Sequence, residues 1–147
     1  MYPGSEVLNP KSLAGDHQVD SNAEIKLYMS LAEMGDAAAQ NCLGVIYQHG
    51  QGGSQDYTEA IRWYEMAAQQ GHAPAQNNLG LIFQNGIGVQ KNNAKAVQWF
   101  YKAAEQGYAE SQNNLAGMCK KGEGIEQNDA EATKWYLKAT QQEQANA

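Results

Sequence analysis

The chain has 147 residues, of which 42% are hydrophobic, and its formal net charge is −6. This composition allows one globular domain with a buried core. The negative charge argues against a nucleic-acid binder, because such proteins usually present a basic face. No apolar run is long enough to span a membrane. The first residues lack the basic and apolar regions of a secretory signal, so we expect a cytoplasmic protein, with the periplasm or secretion as alternatives.

Two cysteines occur, Cys42 and Cys119, without a CxxC pattern. Their wide separation in the sequence predicts two small buried side chains rather than a redox pair or a disulfide framework.

The amino-terminal part divides into two segments. Residues 1–20 are polar, and Pro10 would interrupt a helix there, which predicts a flexible leader or a decayed half-repeat. Residues 21–35 read as the second half of a repeat. Ser21 and Glu24 form an S-x-x-E capping box, which predicts a helix that begins at this point.

The rest of the chain repeats with a period of 36 residues. In the frame 35–70, 71–106 and 107–142, which starts at a shared glycine, eleven of the 36 columns are identical in all three copies, so chance does not explain the pattern. The copies occupy 36–71, 72–107 and 108–143, followed by a short tail, 144–147. We expect these copies and the preceding half-repeat to form a single domain, 21–143.

Each copy begins with a predicted helix, at about 36–49 in the first copy. Its apolar residues are spaced i, i+4, i+7 and i+8, and a glycine follows its last turn. Gly44 and Gly80 predict close approach of a second helix, with Ala116 as the third version. The predicted core faces of the three first helices are Ala39, Leu43, Ile46 and Tyr47; Ala75, Leu79, Ile82 and Phe83; and Ser111, Leu115, Met118 and Cys119.

A second helix follows in each copy, after the N-cap residues Asp56, Asn92 and Asn128. Two short helices cannot bury their apolar faces alone, so consecutive pairs should stack into a continuous core. The predicted faces of the first two second helices are Ala60, Trp63, Tyr64, Ala67 and Ala68, and Ala96, Trp99, Phe100, Ala103 and Ala104.

These columns resemble the Sel1-like repeat, a relative of the tetratricopeptide repeat. Two motifs of the second copy carry the likeness: A-x-N-N-L-G-x-x-F from Ala75 and A-x-x-W-F-x-K-A-A-x-Q-G from Ala96. The resemblance implies an all-α, right-handed solenoid of about seven helices in antiparallel pairs. It also implies an adaptor that binds peptides or proteins, often in bacterial signalling, envelope or host-interaction complexes. Two departures are Cys119, in place of an aromatic residue, and Glu143, in place of glycine.

No pattern for catalysis, metal or cofactor binding is present. The sequence lacks H-E-x-x-H, G-x-S-x-G and a phosphate-binding loop, and no S-x-x-K occurs. His17, His49 and His72 have no ligand spacing. We therefore predict a protein that is not an enzyme and that needs no cofactor. The absence of S-x-x-K matters because β-lactamases contain this motif and some members of the family carry β-lactamase labels.

An asparagine recurs at one column of the first helices, as Asn41, Asn77 and Asn113. Asparagine offers both a donor and an acceptor, so this column has two interpretations. The side chains pair with the backbone of an extended peptide, or they bond neighbouring elements and stiffen the stack. The sequence leaves both open.

The register with tetratricopeptide repeats implies a concave groove lined by the first helices. Lys120 differs from its counterparts and is a candidate for attracting a carboxylate; the alternative is a lysine that stabilises a helix carboxy-terminus. The candidate partner-binding residues are Asn41, Val45, Gln48, Asn77, Leu81, Gln84, Asn113 and Lys120.

The predicted function is a non-catalytic scaffold that holds a protein or peptide in this groove, without nucleic acid or membrane insertion. One alternative is self-assembly as a homodimer through the last repeat, where Trp135, Tyr136 and Leu137 lie. A third, weaker hypothesis is an envelope hydrolase, which is suggested only by the labels of some relatives.

Overall fold

The computed structural model describes residues 18–53 and 55–146. Within these residues the chain forms helices and no strands. Chain contacts divide it into two compact units, with the boundary after His72. The seven helices are α1 (Gln18–Glu33), α2 (Ala37–His49), α3 (Tyr57–Gln69), α4 (Ala73–Asn85), α5 (Asn93–Glu105), α6 (Ala109–Lys121) and α7 (Asp129–Asn146).

The first unit contains α1, α2 and α3. α2 packs against both of the other helices, and the expected apolar face of α2 is buried except for Tyr47, which is half-buried. The core of this unit contains Tyr28, Ala32, Ala39, Cys42, Leu43, Ile46 and Trp63.

The second unit contains α4, α5, α6 and α7. Consecutive helices pack on each other, as expected for helix pairs joined by short turns. The core of this unit contains Ala96, Val97, Phe100, Ala104, Leu115, Ala116, Met118, Cys119, Ala132 and Trp135.

The predicted N-caps of the second helices are confirmed. The side chains of Asp56, Asn92 and Asn128 each accept a hydrogen bond at 3.0 Å from the backbone N–H three residues later. Each bond satisfies a donor that the first turn of a helix leaves unpaired. At the other end of the first helices, Gly50 and Gly122 adopt the left-handed conformation, with φ of 71° and 72°.

Two glycines inside first helices allow close helix approach, as predicted. A Cβ placed on Gly44 would overlap the ring of Tyr64, and a Cβ on Gly80 would overlap the ring of Phe100. Both rings are almost completely buried. The glycines therefore determine how closely α3 packs on α2, and α5 on α4.

Two expectations are wrong. α1 begins at Gln18, so Ser21 lies inside the helix and not at its amino-terminal cap. Trp99 was expected in the core, but it is only half-buried, and the ammonium of Lys102 lies 4.6 Å from its ring centroid. The spacing of Trp99 matches that of Trp63, but spacing within a helix does not determine what covers the ring.

The prediction of a leader at 1–20 lies mostly outside the described residues, as does His17. None of the helices in the described ranges is both long and apolar enough to cross a membrane.

Candidate functional site

Asn77 joins α4 to α6. Its side-chain oxygen accepts hydrogen bonds from Ser111 Oγ at 2.7 Å and from Asn114 Nδ2 at 3.0 Å. Its Nδ2 donates to Glu110 Oε2. Only 1% of Asn77 is exposed. The carboxamide of Asn77 therefore bonds one first helix to the next. This agrees with the interpretation that the recurring asparagine stiffens the stack.

The other two asparagines of this column differ in their surroundings. Asn113, on α6, is half-buried, and its side chain makes no hydrogen bond with any residue that the structure describes. Asn41, on α2, is half-buried and does have an interaction partner. A role in binding a peptide stays a prediction for all three, and Asn113 is the one whose donor and acceptor are available.

Gln48 and Gln84 occupy equivalent positions but have different roles. In the first unit, Tyr64 OH donates to Gln48 Oε1 at 2.7 Å. In the second unit Phe100 takes the place of Tyr64, and it has no hydroxyl group. Gln84 is half-buried, and its carboxamide has no hydrogen-bond partner among the residues that the structure describes.

The second unit thus presents two rows of candidate residues. Leu81 and Gln84 lie on α4, one turn apart, and Asn113 and Lys120 lie two turns apart on α6. Leu81 packs partly against the core, and Lys120 is exposed. We call these four residues the α4–α6 surface. In the first unit, Val45 is half-buried on α2.

The last helix exposes two large apolar side chains. Tyr136 is 39% exposed and Leu137 is 59% exposed. Tyr64 and Phe100, at the positions equivalent to Tyr136, are 1% and 0% exposed. Trp135, which the sequence placed with these two residues, is instead buried in the core of the second unit.

One pair of glutamine columns has a role that the sequence interpretation missed. Gln70 Nε2 donates to Gln40 Oε1 at 2.9 Å, and Gln106 Nε2 donates to Gln76 Oε1 at the same distance. Each bond ties the end of a second helix to a first helix in the same unit. Both columns are identical in all three copies, and this identity was the available signal.

The third copy contains the same two glutamines but not the bond. Gln112 Nε2 donates to Ala104 O at 3.0 Å, yet Gln112 Oε1 is buried and has no hydrogen-bond partner among the described residues. Gln142 lies within α7.

Among the described residues, the side chains that could bind a metal ion do not cluster. No set of three or more histidine, cysteine or acidic side chains in 18–53 and 55–146 could hold a metal ion. Cys42 and Cys119 are buried cysteines that are not joined by a disulfide. Burial raises the pKa of both, that of Cys42 to about 12, so neither has the lowered pKa of a reactive nucleophile.

The chain matches the Sel1 repeat family at three consecutive stretches, 37–72, 73–108 and 109–143. This match confirms the resemblance inferred from the sequence. A comparison with the curated proteins gave no match.

Solved structures have the same fold. A protective antigen of uropathogenic Escherichia coli with an SLR fold is similar at a TM-score of 0.78 and 40% identity, over 80% of this chain and 25% of that one. A Sel1 repeat protein from Oxalobacter formigenes is similar at a TM-score of 0.75 and 34% identity, over 85% of this chain and 54% of that one. This chain therefore spans about a quarter and about half of those two proteins.

The cysteine rich protein B of Helicobacter pylori is similar in fold, at a TM-score of 0.68 and 20% identity, over 87% of this chain and 92% of that one. The family match and these structures confirm the expected all-α solenoid of tetratricopeptide-like helix pairs. The hand of the superhelix stays a prediction.

Proposed function

Because the chain belongs to the Sel1 repeat family, whose members are generally protein-interaction scaffolds, we propose that it binds a protein partner through the α4–α6 surface. The partner contributes an extended segment with a carboxylate. This role is non-catalytic, in keeping with the family and with the absence of catalytic motifs from the sequence.

The observation that supports the proposal is the set of polar groups left available on this surface. Gln84 and Asn113 each offer a carboxamide that no described residue uses, and Lys120 adds an exposed ammonium. A carboxamide can pair with both the N–H and the C=O of a peptide backbone, whatever its side chains are. Lys120 has no acidic partner among the described residues and supplies attraction for a carboxylate.

The role of Asn77 in this proposal is support rather than contact. Its hydrogen bonds to α6 hold Asn113 and Lys120 beside α4. A groove formed by so few residues gives modest affinity, about micromolar, unless a second surface also binds.

Charge reversal at Lys120 tests the proposal, with Lys121→Glu as the matched control. Both lysines lie in the last turn of α6, so both substitutions carry the same penalty at the helix carboxy-terminus. We expect Lys120→Glu to weaken partner binding about tenfold, measured by titration with the partner recovered from a lysate of the source cells. Equal affinities for the two variants would contradict the proposal.

A second candidate function is self-association through α7. The exposed side chains of Tyr136 and Leu137 support it, because paired apolar side chains on one helix suit contact with a second copy. Sedimentation velocity over a range of concentrations tests it. We expect Leu137→Glu to abolish any dimer, and a wild-type protein that stays monomeric at all concentrations would rule this function out.

A further inference from the structure

A cavity of about 550 Å³ opens in the second unit, beside α5 and α7. Its lining includes Tyr101, Glu105, Gln112, Trp135 and Lys138. This volume falls within the range of small-ligand pockets, about 300–1,000 Å³. The cavity shares no residue with the α4–α6 surface, so a ligand there would be independent of the proposed function.

The cavity lies where the third glutamine pair is open. Gln112 lines it and is only 3% exposed, and Gln112 Oε1 is the buried acceptor without a partner. In the first two copies the equivalent acceptors are satisfied, because Gln70 donates to Gln40 Oε1 and Gln106 donates to Gln76 Oε1. A buried acceptor without a donor is destabilising, so an N–H group from a ligand would be stabilised at this point.

The residue that follows the second glutamine of each pair explains why Gln112 and Gln142 do not bond to each other. Gly71 and Gly107 adopt positive φ, 88° and 90°, and the helices before them have ended. Glu143 stands in the equivalent position, and α7 continues to Asn146. Glutamate disfavours the left-handed conformation, so Gln142 stays helical; its carboxamide lies near Gly107 instead.

Charged and aromatic groups line the same cavity as Gln112. Lys138 Nζ lies 4.7 Å from the ring centroid of Trp135, and the ring of Tyr101 meets that of Trp135 edge-on, with centroids 5.7 Å apart. Lys138 has no acidic partner in 18–53 or 55–146, whereas Lys134 Nζ is paired with Glu131 Oε1 at 3.4 Å. Glu105 also lines the cavity and disfavours a second negative charge on a ligand.

We propose that this cavity binds an N-acyl amino acid unit with a free carboxylate, the chemical group found at the carboxy-terminus of a peptide. The amide N–H donates to Gln112 Oε1 in place of the missing glutamine donor. The carboxylate pairs with Lys138, and an aliphatic side chain packs against Tyr101 and Trp135. This group fits because it places one donor, one negative charge and one apolar side chain close together.

Binding of N-acetylleucine tests the proposal, observed through the indole N–H resonances of the labelled protein. We expect the Trp135 resonance to shift and saturate at about millimolar concentration, as for a ligand of this size. The indoles of Trp63 and Trp99 serve as internal controls.

Two ligand analogues examine the two polar contacts without altering the protein. N-acetylleucinamide lacks the negative charge, and 2-acetoxy-4-methylpentanoate has an ester oxygen in place of the N–H. We expect each to bind at least about fivefold more weakly. A tripeptide that ends in leucine distinguishes the source: tighter binding than N-acetylleucine indicates a protein carboxy-terminus, and equal or weaker binding indicates a free N-acyl amino acid.

The matched protein variants are Lys138→Met and Lys102→Met. Each lysine lies over a tryptophan in the same column, but Lys102 does not line the cavity. We expect Lys138→Met to weaken binding about fivefold or more, and Lys102→Met and Lys120→Glu to leave it unchanged. The proposal is overturned by a Trp135 resonance that never saturates, by equal binding of the ester analogue, or by equal binding to Lys138→Met.

Discussion

The ring of Phe100 occupies the space that a side chain on Gly80 would need. A Cβ at Gly80 would overlap three atoms of this ring, and Phe100 is completely buried. The ring is rigid, so α5 would have to move away from α4 to admit even a methyl group.

We therefore expect Gly80→Ala to destabilise the second unit. Overpacking costs about 1–3 kcal/mol, and the better helix propensity of alanine offsets about 1 kcal/mol of this. Gly117→Ala is the matched control, because the nearest atom to its Cβ would be Tyr136 OH, at 3.8 Å. Urea unfolding followed by circular dichroism should show a lower free energy of unfolding for Gly80→Ala and a higher one for Gly117→Ala. A change of the same sign in both variants would contradict this account.

Removal of the Asn77 side chain should also destabilise the second unit. Asn77→Ala removes the shared partner of Glu110, Ser111 and Asn114 and leaves the hydroxyl of Ser111 buried without its acceptor, which costs about 1–3 kcal/mol. Asn113→Ala removes the same side chain at the equivalent position of α6 and should change the free energy of unfolding by less than about 0.5 kcal/mol. A large effect of Asn113→Ala would show a structural role that its surroundings do not indicate.

Trp135 and Trp99 should differ in their contribution to stability. Trp135 is 4% exposed and packs in the core, so Trp135→Ala should cost about 3–5 kcal/mol. Trp99 is only half-buried, and Trp99→Ala should cost less, because it removes less apolar area from the core. Thermal unfolding of the two variants under the same conditions checks the order, and the reverse order would refute it.

The Cys42 thiol should react slowly in the folded protein. Burial, and to a lesser extent Asp36, raises its pKa from 9.0 to about 12. At mildly alkaline pH this leaves about a thousandfold fewer thiolates than in the unfolded chain. Between pH 9.0 and about 12 only the unfolded state ionises, so the contribution of this thiol to stability is lost as the pH rises through that window.

Iodoacetamide labelling with and without urea, followed by mass spectrometry, measures this difference for Cys42. Equal labelling rates in the two states would show that the first unit opens readily or that the thiol is not buried.

Much of the fold follows from the sequence, because its signals are local. The N-caps at Asp56, Asn92 and Asn128 depend on a bond to a backbone group three residues away, and the sequence identified all three. The core faces follow from helical spacing, except at Tyr47, Phe83 and Trp99, which are half-buried. The start of α1 was mispredicted because a capping pattern at Ser21 also occurs inside helices.

The candidate site was less predictable, since the same residue has different partners in different copies. Tyr64 OH donates to Gln48, whereas Phe100, at the position equivalent to Tyr64, has no hydroxyl group to donate to Gln84. The sequence contains these residues, but only the structure shows that Gln48 and Tyr64 meet.

The sequence by itself determined the repeat period, the helices of the three copies, the N-caps of the second helices and the family, because each depends on residues close together in the chain. Only the tertiary structure decided which polar groups are used internally. Asn77 is bonded and Asn113 is not, and Gln106 closes a pair that Gln142 leaves open. These differences arise because the partners lie about thirty residues away, on a neighbouring helix, and helical spacing carries no information about such distant contacts.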